Sequence, residues 1–129
     1  MKVTYEIENG KMVKVKTYVD GTVKKYDKNG NIIYSKDKYG NEDWKEYNSN
    51  GKVIHYKNNN GREDWYEYDS NGNKIHSWDN RGYEYWQEHA ANGNVIHLKD
   101  NDGYEKWYEH DANGRRIHYK DINGYEGWC

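Results

Sequence analysis

The sequence has no proline, no phenylalanine, a single cysteine and no long hydrophobic run. Without proline every residue keeps its backbone N–H donor, which favours uninterrupted strand ladders. With one cysteine, Cys129, no disulfide forms within these 129 residues. No apolar stretch approaches the ~20 residues of a membrane-spanning helix. No N-terminal apolar run resembles a secretory leader, so the expected setting is the reducing cytoplasm of a bacterial cell or a phage-infected host. The abundance of Lys, Asn and Tyr points the same way, toward an AT-rich genome.

Hydrophobic residues make up 33% of the chain and charged residues another 33%, a balance that leans toward disorder. Fifteen tyrosines and six tryptophans oppose that reading, because aromatic rings carry large buried area. The expectation is an ordered sheet without a thick core. A net charge of −2 excludes a global basic field for nucleic acid. The charge is uneven, with 8 Lys against 4 acidic residues in 1–36 and an acidic excess from residue 37 onward.

A 21-residue repeat organises the chain. Gly30, Gly51, Gly72, Gly93 and Gly114 form one column, and Gly40, Gly61, Gly82, Gly103 and Gly124 a second. Trp44, Trp65, Trp86, Trp107 and Trp128 keep the same step, as do Ile33, Ile54, Ile75, Ile96 and Ile117. Self-similarity at a fixed short period marks a repeat architecture. Residues 1–26 form a divergent capping unit without the Trp and His columns, and their lysines suit an edge that resists further pairing. Residues 27–129 are the regular repeats, and the whole reads as one domain.

Each repeat supplies two strands, as in Lys52–Asn58 and Arg62–Tyr68. Asn58-Asn59-Asn60-Gly61 predicts a three-residue loop, a type I turn closed by a left-handed glycine. Asn50-Gly51 and Asn71-Gly72 predict two-residue type I′ turns. Together these place His55 opposite Trp65, Glu46 opposite His55 and Tyr47 opposite Ile54. Lysine falls opposite glutamate in Lys36/Glu42, Lys57/Glu63, Lys99/Glu105 and Lys120/Glu126, cross-strand pairs worth roughly 0.2–1 kcal/mol each. One face carries Ile54, Tyr56, Tyr66 and Tyr68, the more apolar set and the expected buried side. The other carries His55, Trp65, Lys57, Glu63 and Glu67. The predicted fold is all-β: tandem 21-residue hairpins forming one twisted, coiling antiparallel meander sheet, single-layered or a half-barrel. A strand at Trp128 leaves an open C-terminal edge that a second copy or a partner can pair with.

Tyr68-Asp69-x-x-Gly72-Asn73 followed by Asp79-x-x-Gly82 resembles the YD repeat of Rhs-type shell proteins. The run Gly-x-x-x-Trp-x-Glu-Tyr-x-x-Asn-Gly is similar to bacterial MORN-variant repeats, some of them in antitoxin-like proteins. Trp65-Tyr66 ahead of Gly72 resembles choline-binding cell-wall repeats. The resemblance covers residues 26–128 and implies tandem β-hairpins with a scaffolding or binding role.

His55, His76, His97 and His118 recur two strands apart, at least about 9–10 Å, too far for one zinc ion with ligands near ~2.1 Å. Their structural reading is stacking against the paired Trp. Glu63 and Glu67 share a face of one strand, about 13 Å apart along it, wider than a glycosidase carboxylate pair. The pair recurs at Glu42/Glu46, Glu84/Glu88 and Glu105/Glu109, whereas catalysis needs one distinct pocket. Asp79–Gly82 and Asp100–Gly103 lack the spacing of an EF-hand calcium loop. No catalytic residue, metal or cofactor is expected.

The candidate partner-binding set is Trp44, Trp65, Trp86, Trp107 and Trp128, with His55, His76, His97, His118, Glu63, Glu67, Glu84, Glu88, Glu105 and Glu109. Trp and Tyr are residues that interfaces favour. The expected function is a non-enzymatic protein-binding module, a small bacterial or phage inhibitor of the antitoxin or anti-defence kind. Its expected partner is a protein, including one that itself binds nucleic acid. Competing readings are a cell-wall or glycan-binding aromatic module and a self-assembling structural repeat, a homodimer through the open edge.

Overall fold

A computed structural model describes all 129 residues. The chain forms thirteen strands and no helix. They are β1 (Lys2–Glu8), β2 (Lys11–Thr17), β3 (Val23–Tyr26), β4 (Ile32–Lys36), β5 (Glu42–Tyr47), β6 (Val53–Asn58) and β7 (Glu63–Tyr68). Then follow β8 (Lys74–Asp79), β9 (Glu84–His89), β10 (Val95–Asp100), β11 (Glu105–His110), β12 (Arg116–Asp121) and β13 (Glu126–Trp128). Hydrogen-bonded neighbours follow chain order without a crossover, the antiparallel hairpin meander expected from the repeat. Contacts divide the chain into two compact units, Met1–Asp64 and Trp65–Cys129.

In the first unit, β1 and β2 join through Asn9-Gly10, which brings Glu8 opposite Lys11. Both turn residues have positive φ, 52° and 77°, the requirement of a type I′ turn. Val13 and Val15 on β2 are the chain's buried apolar side chains. Lys25 on β3 stands opposite Val15. Its Nζ reaches back to Glu8 at 2.7 Å and Glu6 at 3.3 Å, and Glu6 stands opposite Val13. The ion pair lies over the two valines, and its aliphatic stem covers what a second layer would otherwise bury.

The remaining loops share one geometry. At Asn48–Lys52 the Asn48 N–H donates to the Lys52 carbonyl at 2.9 Å, and the Gly51 N–H donates back to Asn48 at 3.0 Å. Gly51 has φ 79°, while Asn9 is the chain's non-glycine residue with positive φ. The expected type I′ turns at Asn50-Gly51 and Asn71-Gly72 are therefore not formed. Both are longer loops of the kind expected at Asn58–Gly61. The cause is the residue that opens each loop. Asn48 Oδ1 accepts from the Asn50 and Lys52 N–H groups, and Asp69 Oδ1 from those of Asn71 and Asn73, an Asx turn that captures the backbone first. Glu46 stays opposite His55 as expected, but Tyr47 stands opposite Val53 rather than Ile54, across a bulge.

The second unit holds β8 to β13 and most of β7. Its buried side chains are His118 and Asp121. Ile54, Tyr56, Tyr66 and Tyr68 are half-buried, and so are His55 and Trp65. The tyrosine face is thus not a buried side, because no second layer of structure covers it. Side chains along the sheet hold the hairpins together instead. Tyr47 Oη donates to the Ile32 carbonyl at 2.6 Å, and His89 places Nε2 2.8 Å from the equivalent Lys74 carbonyl. His89 thus takes the place in this repeat that Tyr47 holds two repeats earlier.

Candidate functional site

On the tryptophan face each hairpin builds the same cluster. β8 presents His76, which stands opposite Trp86 on β9. The next hairpins set His97 opposite Trp107 and His118 opposite Trp128. These rings stack at centroid distances of 5.2, 5.3 and 3.9 Å. The expected His–Trp stacking is therefore present in all three. In the first unit Tyr34 takes the histidine position, with its ring 5.5 Å from Trp44.

Glutamates flank each of the four histidines on this face. Nδ1 lies 3.0 Å from Glu46 in His55, 2.9 Å from Glu67 in His76, 3.0 Å from Glu88 in His97 and 3.1 Å from Glu109 in His118. Nε2 lies 2.9 Å from Glu63, 2.7 Å from Glu84, 2.6 Å from Glu105 and 2.7 Å from Glu126 in the same order. A neutral imidazole has one N–H, so two carboxylates on opposite ring nitrogens call for the imidazolium. Partial burial of each ring opposes the charged form, but the paired glutamates outweigh it and raise all four pKa values above the usual imidazole value.

The Lys–Glu expectation needs correction. Lys36, Lys99 and Lys120 do stand opposite Glu42, Glu105 and Glu126. Those carboxylates instead bond to Tyr34, His97 and His118. A ring held within hydrogen-bond distance of the carboxylate out-competes a flexible, well-hydrated ammonium. The lysines are left exposed. Tyr34 shows the same capture: its burial and then its 2.5 Å bond to Glu42 push the phenol up to about 12.

The face is open to solvent. Trp44, Trp86 and Trp107 are each more than a third exposed, Trp128 is 73% exposed, and Trp65 is half-buried. Glu67, Glu88 and Glu109 keep 55%, 67% and 66% of their side-chain surface in water. Each uses one oxygen on histidine. No group of three His, Cys, Asp or Glu is arranged to hold a metal ion. The carboxylates of one strand serve different histidines: Glu84 bonds His76 and Glu88 bonds His97. On the opposite face, Lys106 lies over Tyr108 and Tyr119 at 5.1 and 4.7 Å, and Arg116 lies over Tyr108 at 5.1 Å. Those rings are already partnered by the chain's own cations.

Sequence reasoning missed Trp78. It stands where other repeats carry Lys57, Lys99 and Lys120. Its ring stacks on Trp65 at 6.0 Å with planes 7° apart, and packs on His76 at 4.6 Å. The rings of Trp65, Trp78, His76 and Trp86 make an unbroken run. The broken lysine column was the signal.

No protein-family model and no curated protein matches the chain. Solved structures do. A crystal structure of TcdB2-TccC3-TEV matches with TM-score 0.67 at 16% identity, over 87% of this chain and 6% of that chain. One of TcdB2-TccC3 gives 0.64 at 16% identity over 86% and 6%. The Photorhabdus luminescens Tc holotoxin pore gives 0.65 at 14% identity over 87% and 7%. What this chain shares with stretches of these chains is a fold of tandem antiparallel β-hairpins. At these identities the likeness is one of fold, and this chain spans a small fraction of each neighbour.

Proposed function

We propose that the chain is a non-enzymatic protein-binding repeat module that docks through its tryptophan face. The carrying observation is the regular exposure of Trp86 and Trp107 beside carboxylates with an oxygen free for a partner. Trp is the residue most enriched at binding hot spots. The rings are held in place by their imidazolium neighbours, so little side-chain freedom is lost on binding. Repetition of one motif along a face suits a surface that covers a partner rather than one that turns over a substrate. The acidic excess beyond residue 36 favours a basic partner surface and speeds encounter. A small inhibitor that masks such a surface, as an antitoxin or an anti-defence protein does, fits this arrangement.

The test is affinity capture from lysate of a low-GC bacterium, with wild type and a Trp65→Ala/Trp86→Ala/Trp107→Ala variant shown by circular dichroism to be folded. One partner retained by wild type and lost in the variant supports the reading. Retention of the wild type on cell-wall material instead, with no protein captured, would overturn it.

A further inference from the structure

The repeats of the second unit differ in what fills the space between one tryptophan and the next histidine. Around Glu67 and His76 that space holds the Trp78 ring, sandwiched between Trp65 and His76. One repeat later the same corner is formed by Trp86, Glu88 and His97, with Lys99 in place of Trp78. Trp86 stands opposite Lys99 and Glu88 opposite His97. These four side chains, with Gln87, line a cavity of about 270 Å³. The following repeat sets Trp107 opposite Lys120 and Glu109 opposite His118, so the corner recurs.

We infer that the Trp86/Glu88/His97 corner, and its repeat at Trp107/Glu109/His118, are slots for single aromatic side chains of a partner protein, with Trp78 the chain's own filled example. This rests on the reading of the tryptophan face as a protein-binding surface and names the chemistry it takes. The occupant follows from the walls. One wall is the indole of Trp86, which favours a stacked ring. The other is the His97 ring, cationic because Glu88 and Glu105 occupy both its nitrogens. A cation is attracted to an electron-rich ring and repels a guanidinium or ammonium. Lys99 adds a second positive charge at the mouth and makes no ion pair that would hold it there. Its flexible stem can swing aside, which a ring in its place cannot. The exposed oxygen of Glu88 is placed to accept the indole N–H or phenol O–H of the incoming ring, the polar handle that Trp and Tyr bring to interfaces.

The test is an NMR titration of the full chain with the blocked tripeptide acetyl-Gly-Trp-Gly-amide, following the indole N–H signals of all six tryptophans and the histidine ring signals. Acetyl-Gly-Arg-Gly-amide and a chitin trisaccharide are titrated in parallel. Saturable shifts of Trp86, Trp107 and His97 with the Trp peptide are expected, with weaker or no response to the other two. Lys99→Ala opens the first slot and tightens it by about three- to tenfold. Lys99→Trp fills it and abolishes the Trp86 response while Trp107 still responds. Trp78→Lys vacates the filled corner and gives Trp65 a new response. A stronger response to the Arg peptide or to the sugar overturns the assignment, and so does an unchanged Trp86 response in Lys99→Trp. Partner capture lost in the triple alanine variant but kept by Lys99→Trp/Lys120→Trp would overturn the slots and leave the binding face standing. Absence of any captured partner counts against the face, and the titration reads the slots independently of it.

Discussion

At the scale of single residues, the loop-opening position does more than the glycine that names each turn. Asp100 Oδ1 accepts from the N–H groups of Asp102 and Tyr104 at 2.9 and 3.0 Å. Asp79, Asp111 and Asp121 repeat the pattern. Ala90 opens its loop without that acceptor, although the backbone bonds Ala90 N–H to Asn94 O and Gly93 N–H to Ala90 O are in place. The Asn92 Oδ1 takes the Asn94 N–H instead, at 3.0 Å, so the Asn92 N–H is the donor left without a side-chain partner in an otherwise finished loop. Ala90→Asp is expected to stabilise the protein by roughly 0.5–1.5 kcal/mol, the net worth of a typical hydrogen bond. Asp100→Ala should cost a similar amount. Urea unfolding midpoints check both, and a lower midpoint for Ala90→Asp would show that the Asx turn is not what sets this loop.

At the scale of the hairpin, an asparagine in the loop staples one hairpin to the next at Asn59 and at Asn101. Asn59 donates from Nδ2 to the Gly40 carbonyl at 2.9 Å and accepts at Oδ1 from the Glu42 N–H at 3.1 Å. Asn101 does the same with the Gly82 carbonyl and the Glu84 N–H. In the last repeat Ile122 holds this place and is 55% exposed, while its backbone N–H still reaches the Glu105 carbonyl at 2.9 Å. Ile122→Asn would supply both missing bonds, to Gly103 O and Glu105 N–H. It is expected to gain about 1–2 kcal/mol, read as increased amide-exchange protection at Glu105. No added protection there would sink the staple. This asparagine was not legible in the sequence, because Asn in a turn reads first as local turn chemistry. The hairpins were legible, since a period of 21 and alternating faces leave one way to pair the strands. The register error at Tyr47 and Ile54 came from reading Asn50-Gly51 as a two-residue turn when Asn48, two positions earlier, decides the loop. The His–Trp pairing was legible from the three-residue loop at Asn58–Gly61, which joins the two strands that carry it. The glutamates' choice of histidine over lysine was not, because register places both within reach and only side-chain geometry separates them.

For the whole molecule, stability is carried by side-chain bridges between hairpins, with Val13 and Val15 the chain's buried apolar side chains. In such repeats stability is roughly a sum of unit and nearest-neighbour terms. The Glu–His–Glu bridge is one neighbour term, made four times, and it titrates. Each histidine has its pKa raised in the folded chain. The folded state then binds protons more tightly than the unfolded state. The contribution is fully present below the unfolded value near ~6.5 and is lost as pH rises through the raised folded value. Other shifted groups act outside that window. Asp20, Asp37 and Asp69 are lowered mainly by hydrogen bonds from their own loops, so their contribution is lost in acid. Lys25, raised chiefly by Glu8, and Tyr34, at about 12, act in strong base. The thermal midpoint is therefore expected to fall as pH rises from about 6 to 9. His76→Gln/His97→Gln should flatten that slope by about half, since two of four equivalent bridges no longer titrate. A midpoint that rises over the same interval, or a double variant with the full wild-type slope, would show that the histidines are neutral in the folded chain and that the tryptophan rings stack on imidazole rather than imidazolium.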